Sequence, residues 1–241
     1  MEICNKYLYD LNYHTEEYFN TVQNTLSKQI SLQDTISIQD INSVAGVDLA
    51  YWNYQGKEYA VCCIVVLDYN THQVIEKQYS YGEITVPYIA GYLAFRELPL
   101  IVQTVKKLHT TPDVFMFDGN GYLHPRHMGI ATHSSYILNK PTIGVAKTYY
   151  KINRVDFTMP DNILNAYTDI SIDGTVYGRA VRTNVGVKPI FVSCGNYLCL
   201  DTAMKVTLSL ISPKDSRLPI TTRLADLETH TMREQLKNTM L

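Results

Sequence analysis

The fold is decided by residues 114–147, which read VFMFDGNGYLHPRHMGIATHSSYILNKPTIGVAK. The pattern predicts a strand (VFMFD), a glycine-rich loop (GNG), a helix from about Pro125 to Leu138, and a second strand from Pro141 to Lys147. Two strands separated by a helix run parallel, because a parallel pair needs a long crossover whereas an antiparallel pair needs only a tight turn. The stretch therefore predicts an α/β protein with parallel strands.

Three β-rich runs precede this stretch and are joined by short polar turns: Val44 to Trp52, Tyr59 to Tyr69, and Val74 to Ile84. They predict an antiparallel meander. A helical pattern follows from Ala90 to Leu108, and Pro99 is expected to kink or divide that helix. A three-strand meander followed by helix, strand, helix and strand is the order of a ribonuclease H-like fold. We therefore expect a mixed central sheet, the meander beside parallel strands, flanked by helices.

Further elements are predicted on both sides of this region. Apolar side chains at helical spacing, such as Phe19 and Leu26, predict an amphipathic helix within an N-terminal helical segment of about residues 10–40. The downstream elements are strands at Thr175 to Arg182 and Pro189 to Ser193, a helix capped by Asp201, and a helix around Leu224 to Lys237. Because no repeat or low-complexity linker divides the chain, we expect a single domain over residues 1–241.

Composition limits the classes of function. The formal net charge of −2 argues against a protein that coats nucleic acid by bulk electrostatics, but it leaves room for a local basic groove. The five cysteines form no C-x-x-C pair, so they are expected to be free thiols. No apolar run reaches membrane-spanning length and the first ten residues do not form a signal sequence, so we expect a cytoplasmic protein without a membrane partner. Nothing in the sequence indicates an obligate protein partner.

Two aspartates occupy positions that require a cation. Asp48 lies in an apolar strand between Val47 and Leu49, where an unpaired carboxylate would cost on the order of several kcal/mol. Asp118 ends the strand VFMFD, at the carboxyl edge of a parallel sheet where open α/β folds gather their ligands. If both strands are central neighbours, the two carboxylates converge. Their partner is then either an Arg or Lys side chain or a metal ion.

Two further charged residues accompany the aspartates. Glu97 follows Arg96 in the predicted helix, and by spacing alone it fits an ordinary solvated position. Carboxylate oxygens are the ligands that Mg²⁺ prefers, and the histidines lack the close pairing of a zinc site, so the sequence favours magnesium. Lys147 ends the strand TIGVAK at the same expected edge. It could orient the nucleophilic water, neutralise the scissile phosphate, or only form a salt bridge.

Two loops have features of a binding site. The first follows Asp118, and its glycines let the backbone approach a ligand, although a tight turn would use glycines as well. Three side chains add hydrogen-bond donors to this loop: His124, Arg126 and His127. The second loop runs from Pro87 to Ala90. Its Tyr88 and Ile89 would either pack against the protein or form a wedge that pushes between bases.

Several long motifs of the chain, in family order, resemble the endonuclease V family. They are AGVDLAYW (45–52), VPYIAGYLAFRELP (86–99), FDGNGYLHPRHMGIATH (117–133), PTIGVAK (141–147), GRAVRT (178–183), KPIFVSCGN (188–196) and RLPITTRLAD (217–226). The resemblance implies a ribonuclease H-like fold and dependence on Mg²⁺, with Mn²⁺ as a substitute. It also implies a role in DNA repair, by hydrolysis of the second phosphodiester 3′ to a deaminated purine, chiefly hypoxanthine, which leaves a 3′-hydroxyl and a 5′-phosphate.

The same resemblance assigns the catalytic residues. Asp48 and Asp118 correspond to the metal-binding aspartates and Glu97 to the third acidic residue, while Lys147 matches the catalytic-site lysine. Asp226 matches a fourth position, for which a second metal site and an indirect role both remain open. The implied partners are DNA containing deoxyinosine and inosine-containing RNA, and no residue decides between these two substrates.

The resemblance also assigns substrate-binding residues. Tyr88 corresponds to a wedge that separates the strands, together with Pro87 and Ile89, and the wedge varies at its last position, here Ala90. The base pocket is expected to take Gly91, Leu93, Gly119, Gly129 and Ile130. His124 is expected near the cleaved strand and not as a primary metal ligand, and Arg96 is counted among the substrate-binding residues.

Two other classes of protein compete with this interpretation. An actin-like or sugar-kinase-like phosphotransferase also begins with a strand that carries an Asp, but residues 44–52 lack the glycine and hydroxyl residues of a following phosphate turn, and the chain has no duplicated half. A non-catalytic nucleic-acid-binding module would leave Asp48 and the other carboxylates unexplained, since carboxylates repel phosphates unless a metal intervenes.

Overall fold

The computed structural model describes residues 15–212 and 216–240. Its elements, in chain order, are α1 (Glu16–Ser27), a 3₁₀ turn (Ile38–Asp40), β1 (Ser43–Tyr54), β2 (Lys57–Asp68), β3 (Val74–Glu83), α2 (Leu93–Val105), β4 (Val114–Asp118), α3 (Ile130–Leu138), β5 (Thr142–Ala146), β6 (Tyr167–Ile172), β7 (Thr175–Val181), β8 (Ile190–Asn196), α4 (Leu200–Ser209) and α5 (Ile220–Met240).

Eight strands form one mixed sheet in the order β3-β2-β1-β4-β5-β8-β7-β6. The first three strands pair antiparallel, as the meander predicts. β4 then pairs parallel with β1, and β5 pairs parallel with β4 through the crossover helix α3. The sheet and its flanking helices confirm the predicted α/β ribonuclease H-like fold. No helix within the described ranges is long and apolar enough to span a bilayer.

Helices cover both faces of the sheet. α2 and α3 pack on the face that includes Ala45 and Val47 of β1, while α4 and α5 pack on the other face. A Cβ on Gly46 would lie 2.3 Å from the backbone carbonyl of Thr221 in α5, so this glycine allows α5 to press against β1. Asp48, two residues further along the same face of β1, is thereby brought against α5.

The amphipathic N-terminal helix is present as α1, but it is shorter than the predicted segment. Its Phe19 and Leu26 are buried, and Phe19 stacks on Phe95 of α2 with ring centroids 4.0 Å apart. Of the predicted range 10–40, residues 10–14 lie outside the described residues, and α1 ends at Ser27. The chain beyond it hydrogen-bonds to the end of β8, where Ser31 donates to Asn196, and so cannot continue as a helix.

Two predicted helix bounds near the site are corrected. α3 begins at Ile130 and not at Pro125, because His127 adopts a left-handed conformation (φ +57°) that interrupts any helix there. α2 begins at Leu93 and runs through Pro99 without dividing. A proline inside a helix costs ~3 kcal/mol, but most α2 residues are buried against the sheet and α3, so packing outweighs that cost.

Other differences lie away from the parallel strands. β6 was not predicted, because only Ile170 and Ile172 of its residues are buried. The helix expected to be capped by Asp201 is capped by Cys199, whose sulfur accepts from the N–H of Thr202. α5 also begins four residues earlier than predicted. Four cysteines are free thiols, as expected, and two of them are buried in β2, while the fifth lies outside the described residues.

Candidate active site

Three carboxylates meet at the carboxyl edge of the central strands. Asp48 comes from β1, Asp118 from the end of β4 and Asp226 from α5, and one oxygen of each lies within 4.8 Å of the others. We call these three residues the acidic cluster. β1 and β4 pair in parallel register up to the positions just before the two aspartates, which places Asp48 beside Asp118. α5 adds the third carboxylate and also Thr229, whose hydroxyl donates to Asp48 at 2.9 Å.

The cluster is electrostatically unfavourable without a cation. Burial raises the pKa of Asp48 to about 7, and the charge of Asp118 acts in the same direction. Burial also raises the pKa of Asp118, although Lys147 opposes this shift. Like charges held together away from water disfavour ionisation of each carboxyl group. A positive partner therefore stabilises the ionised cluster more than it would stabilise exposed aspartates.

Lys147, at the end of β5, supplies part of that positive charge. Its Nζ lies 2.6 Å from Asp118 and 2.9 Å from Asp226. Burial disfavours the ammonium, but the two carboxylates outweigh burial and hold the pKa of Lys147 above its ordinary value. One ammonium among three ionised carboxylates leaves negative charge uncompensated. This set of hard oxygen ligands fits a divalent cation such as Mg²⁺.

Glu97 lies near the acidic cluster but outside it. The helix α2 buries this residue, and its Oε1 accepts a 2.6 Å hydrogen bond from the Tyr51 hydroxyl. Burial raises the pKa of Glu97 to about 8, and Asp48 and Asp118 also raise it, against the hydrogen bond from Tyr51. The solvated position that spacing alone allowed for Glu97 is therefore wrong. Tyr51 holds the carboxylate in place beside the cluster.

A pocket opens next to these residues. It is lined by Tyr88, Gly91, Leu93, Asn120, His124, Met128, Gly129, Ile130 and Tyr150. Three of the segments that carry the charged residues also line this pocket. Leu93 and Glu97 lie one turn apart on α2, while Asn120 follows Asp118 by two residues and Tyr150 follows Lys147 by three. The pocket and the acidic cluster are therefore adjacent, because the same three chain segments contribute residues to both.

We call residues 87–92 the wedge loop. Tyr88 is 68% exposed although it lines the pocket, so burial does not explain the presence of an aromatic side chain there. Pro87 and Ala90 are also exposed. Ile89, in contrast, is partly buried and packs with the cluster that contains Phe19 and Phe95. Of the residues predicted to form a wedge, Tyr88 is therefore the one presented to the pocket, and Ile89 anchors the loop.

We call residues 119–129 the glycine loop, which forms the opposite wall. A Cβ on Gly129 would lie 2.2 Å from the carbonyl oxygen of Asn120, so only glycine permits this close turn. Gly119 lies behind the lining, against the side chain of Ile130. The loop brings the N-terminus of α3, at Ile130, to the pocket.

His124 connects the two walls of the pocket. Its Nε2 donates to the carbonyl of Gly91 at 3.0 Å, since a carbonyl only accepts, and its Nδ1 then accepts from the N–H groups of Arg126 and Met128. Burial, with the charge of Arg126 acting in the same direction, lowers the pKa of His124 to about 3, so the ring is neutral at pH 7. Among the residues that the structure describes, His124 does not belong to the acidic cluster.

Arg96, which the resemblance counts among the substrate-binding residues, lies outside the pocket lining. Its guanidinium is 6% exposed, lies 2.5 Å from Glu58 and 2.9 Å from the carbonyl of Val86, and stacks over the ring of Tyr51. The structure does not bring it to the pocket. Arg96 instead ties α2 to β2 and to the start of the wedge loop, because its donors are already engaged by these groups.

Three pocket residues were missed by sequence reasoning: Asn120, Met128 and Tyr150. Asn120 and Met128 lie within the glycine-rich motif, so the motif itself was their signal. Tyr150 lies in an irregular segment after Lys147, and no pattern marks it. Its ring lies parallel to that of His124, with centroids 6.2 Å apart.

Comparison with known proteins identifies relatives that span most of this chain. A family model described as Endonuclease V matches residues 24–227. Endonuclease V of Bacillus thuringiensis subsp. konkukian (strain 97-27) is 60% identical over 218 residues, which cover 90% of this chain and 92% of that protein. The crystal structure of endonuclease V from Bacillus subtilis has a TM-score of 0.95 and 55% identity, and the match covers 99% of this chain and 100% of that chain.

A third match shows a bound nucleic acid. The crystal structure of Ciona intestinalis endonuclease V, in complex with a 24mer DNA containing an inosine followed by a ribo-adenosine, has a TM-score of 0.81 and 28% identity, covering 91% of this chain and 98% of that chain. The family model and the curated relatives together span most of the chain. The chain therefore belongs to the endonuclease V family, and it is a nuclease that hydrolyses phosphodiester bonds.

Proposed function

We propose that this nuclease is a metal-dependent endonuclease of DNA repair that recognises hypoxanthine in DNA and hydrolyses the second phosphodiester 3′ to it, leaving a 3′-hydroxyl and a 5′-phosphate. The observation that carries the proposal is the adjacency of the pocket and the acidic cluster on shared segments of chain. An enzyme that recognises a base in DNA takes it out of the stack into such a pocket. The inosine-containing DNA bound to the Ciona intestinalis relative supports this substrate.

Asp48, Asp118 and Asp226 would hold the ion, Mg²⁺ with Mn²⁺ as a substitute, and Glu97 lies beside them. When bound, a divalent ion supplies charge for the phosphate and activates the attacking water. Lys147 already engages Asp118 and Asp226, and an ammonium carries three N–H donors. The third donor can bind a phosphate oxygen and so orient the scissile group. Asp226 joins the cluster directly, which favours a metal-holding role for the position that the sequence left open.

The separation of pocket and cluster bears on where the cut falls. A base held between the wedge loop and the glycine loop keeps its own sugar attached. The phosphate that reaches Asp48 and Asp118 can then belong to the next linkage along the strand. The base is read and left in place, and hydrolysis takes place at phosphorus.

Product mapping tests this proposal. We expect a 5′-end-labelled duplex with one inosine to be nicked one nucleotide 3′ of the lesion nucleotide, only when Mg²⁺ or Mn²⁺ is added, and the matched duplex with adenosine to stay intact. Size markers that end in a 3′-hydroxyl identify the product. Cleavage at the phosphate immediately 3′ to the inosine, or release of free hypoxanthine, would contradict the proposal.

Asn120 is the side chain best placed to read the base. It lines the pocket, and its Oδ1 is buried without a hydrogen-bond partner among the described residues. A buried acceptor without a donor is destabilising by roughly 1–3 kcal/mol, so a ligand donor is expected there. N1 of hypoxanthine carries a hydrogen, whereas N1 of adenine is an acceptor. Asn120 would therefore favour hypoxanthine over adenine.

We expect Asn120→Leu to reduce the preference for hypoxanthine over unsubstituted purine, which lacks the N1 hydrogen, by about tenfold in kcat/KM, the value of one good hydrogen bond. The kcat/KM values for both bases in the same duplex context are measured with wild type and variant. The four values form a double-mutant cycle that isolates the contact between Asn120 and the N1 hydrogen. Met128→Leu, also in the pocket lining, should change both substrates equally. An unaltered preference in Asn120→Leu would exclude the contact.

A further inference from the structure

One buried side chain outside the pocket joins its two walls. Gln23 lies on α1 and is fully buried. Its Nε2 donates to the carbonyl of Gly91 in the wedge loop at 3.0 Å and to the carbonyl of Met128 in the glycine loop at 3.3 Å. These partners lie 68 and 105 residues further along the chain. A single amide of the N-terminal helix thus bridges two segments that are distant in sequence.

The orientation of this amide is set by Arg126. The Nε of Arg126 donates to Oε1 of Gln23 at 2.5 Å, which leaves the NH₂ group of Gln23 to face the two carbonyls. Arg126 is itself held, since its Nη2 donates to the Gly91 carbonyl at 3.2 Å and its guanidinium lies 4.5 Å from the ring centroid of Tyr92. Gln23 therefore belongs to a connected network in which its donor and acceptor groups are both used.

Gln23 and His124 make parallel connections between the same two positions. His124 donates to the Gly91 carbonyl and accepts from the Met128 N–H, and it lines the pocket. Gln23 binds the carbonyls of the same two residues but does not line the pocket. A substitution that removes the Gln23 amide would therefore keep every side chain of the pocket lining. It would remove one connection that holds the two walls at a fixed separation.

We propose that Gln23 is a positioning residue that fixes the separation of the wedge loop and the glycine loop and thereby sets how tightly the pocket captures the lesion base. The inference rests on the proposed function. A pocket that is pre-formed does not have to be ordered when the base enters, so it binds the base more strongly. Gln23 also precedes the segment matched by the family model, which begins at residue 24.

Two substitutions separate the bridge from the rest of the network. Gln23→Met keeps the size of the side chain but removes both its donor and its acceptor. Gln23→Glu keeps an acceptor for Arg126 but removes the N–H donors to Gly91 and Met128. For both variants we expect kcat/KM on the inosine duplex to fall about tenfold through KM, with kcat within about twofold of wild type, because binding and not chemistry is affected.

Hydrogen–deuterium exchange provides a readout that does not depend on cleavage. We expect the backbone amides of residues 87–92 and 119–129 to exchange faster in both variants than in wild type, at a temperature well below unfolding. Tyr136→Phe is the matched control, because it removes the 2.7 Å hydrogen bond from the Tyr136 hydroxyl to the Leu26 carbonyl of α1 and keeps the ring in the buried cluster that contains Met128. Its KM and loop exchange should match those of wild type.

Three results would overturn the inference: wild-type KM and loop exchange in Gln23→Met, wild-type behaviour of Gln23→Glu, or an equal rise of KM in Tyr136→Phe. Wild-type behaviour of Gln23→Glu would mean that the contact with Arg126, and not the bridge, causes the rise of KM in Gln23→Met. An equal rise of KM in Tyr136→Phe would mean that any weakening of the contacts of α1 has this effect. If the wild-type protein showed no preference for inosine, the proposed function would fail instead. The exchange measurement would still decide whether Gln23 holds the two loops together.

Discussion

Asp118→Asn is expected to abolish cleavage while it leaves binding of an inosine duplex within a few-fold of wild type. The substitution keeps the shape of the side chain but removes a negative charge from the acidic cluster and weakens its ion pair with Lys147. A metal ion contributes several kcal/mol to stabilisation of the transition state, so the cleavage rate should fall by about 10³-fold or more. The pocket lining does not include Asp118, and lesion binding should therefore survive.

The measurement pairs single-turnover cleavage in Mg²⁺ with a gel-shift titration on the same duplex. Asp156→Asn makes the same chemical change at a carboxylate that is 73% exposed and paired with Lys151, and it should cleave at the wild-type rate. Near-normal cleavage by Asp118→Asn would refute the metal assignment. Loss of binding in proportion to cleavage would mean that the pocket depends on the acidic cluster.

The family assignment also decides between the classes of protein that the sequence left open. A phosphotransferase would use the acidic edge of the sheet to hold a nucleotide, and a non-catalytic module would have no use for three adjacent carboxylates. Membership in a family of nucleases excludes both as the primary activity. Burial and the neighbouring Asp118 raise the pKa of Asp48 to about 7, so the ionised carboxylate at this position needs a positive partner.

The parts of the site that were predictable are those carried by one local motif. Asp118 ends a strand and Gly119 follows it, so the strand pattern alone placed both at the carboxyl edge. Asp48 was predictable because a charge inside an apolar strand is conspicuous. The parallel pairing that brings the two aspartates together followed from the crossover helix between β4 and β5.

What was not predictable depends on packing between distant segments. The family resemblance names Asp226, but its place in the cluster depends on the packing of α5 against β1, which the pattern of its own helix does not show. Arg96 and Glu97 are neighbours in sequence, yet Arg96 turns to Glu58 and Glu97 turns to Tyr51. Helix periodicity cannot decide between these partners. The role of Gln23 likewise arises from contacts across 68 and 105 residues.

The second large effect is expected at the wedge loop, where Tyr88→Ala should lower kcat/KM on an inosine duplex by about 30-fold. Extraction of a base from a duplex costs a few kcal/mol, and a ring inserted into the gap offsets part of that cost. A loss of about 2 kcal/mol corresponds to this factor. Tyr88→Phe should retain most activity, because the inserted ring and not the hydroxyl supplies the effect.

A single-stranded oligonucleotide with one inosine separates a wedge from ordinary packing. Its base is not paired with a partner strand, so less energy is needed to extract it. Tyr88→Ala should therefore lower kcat/KM on this substrate by less than about threefold. Tyr79→Ala, which removes another exposed tyrosine on the edge strand β3, should leave both substrates unaffected. Equal losses on duplex and single strand would show that Tyr88 contributes to the pocket itself and does not open the duplex. The 68% exposure of Tyr88 argues for the wedge, because a ring that packed against the protein would be buried by it.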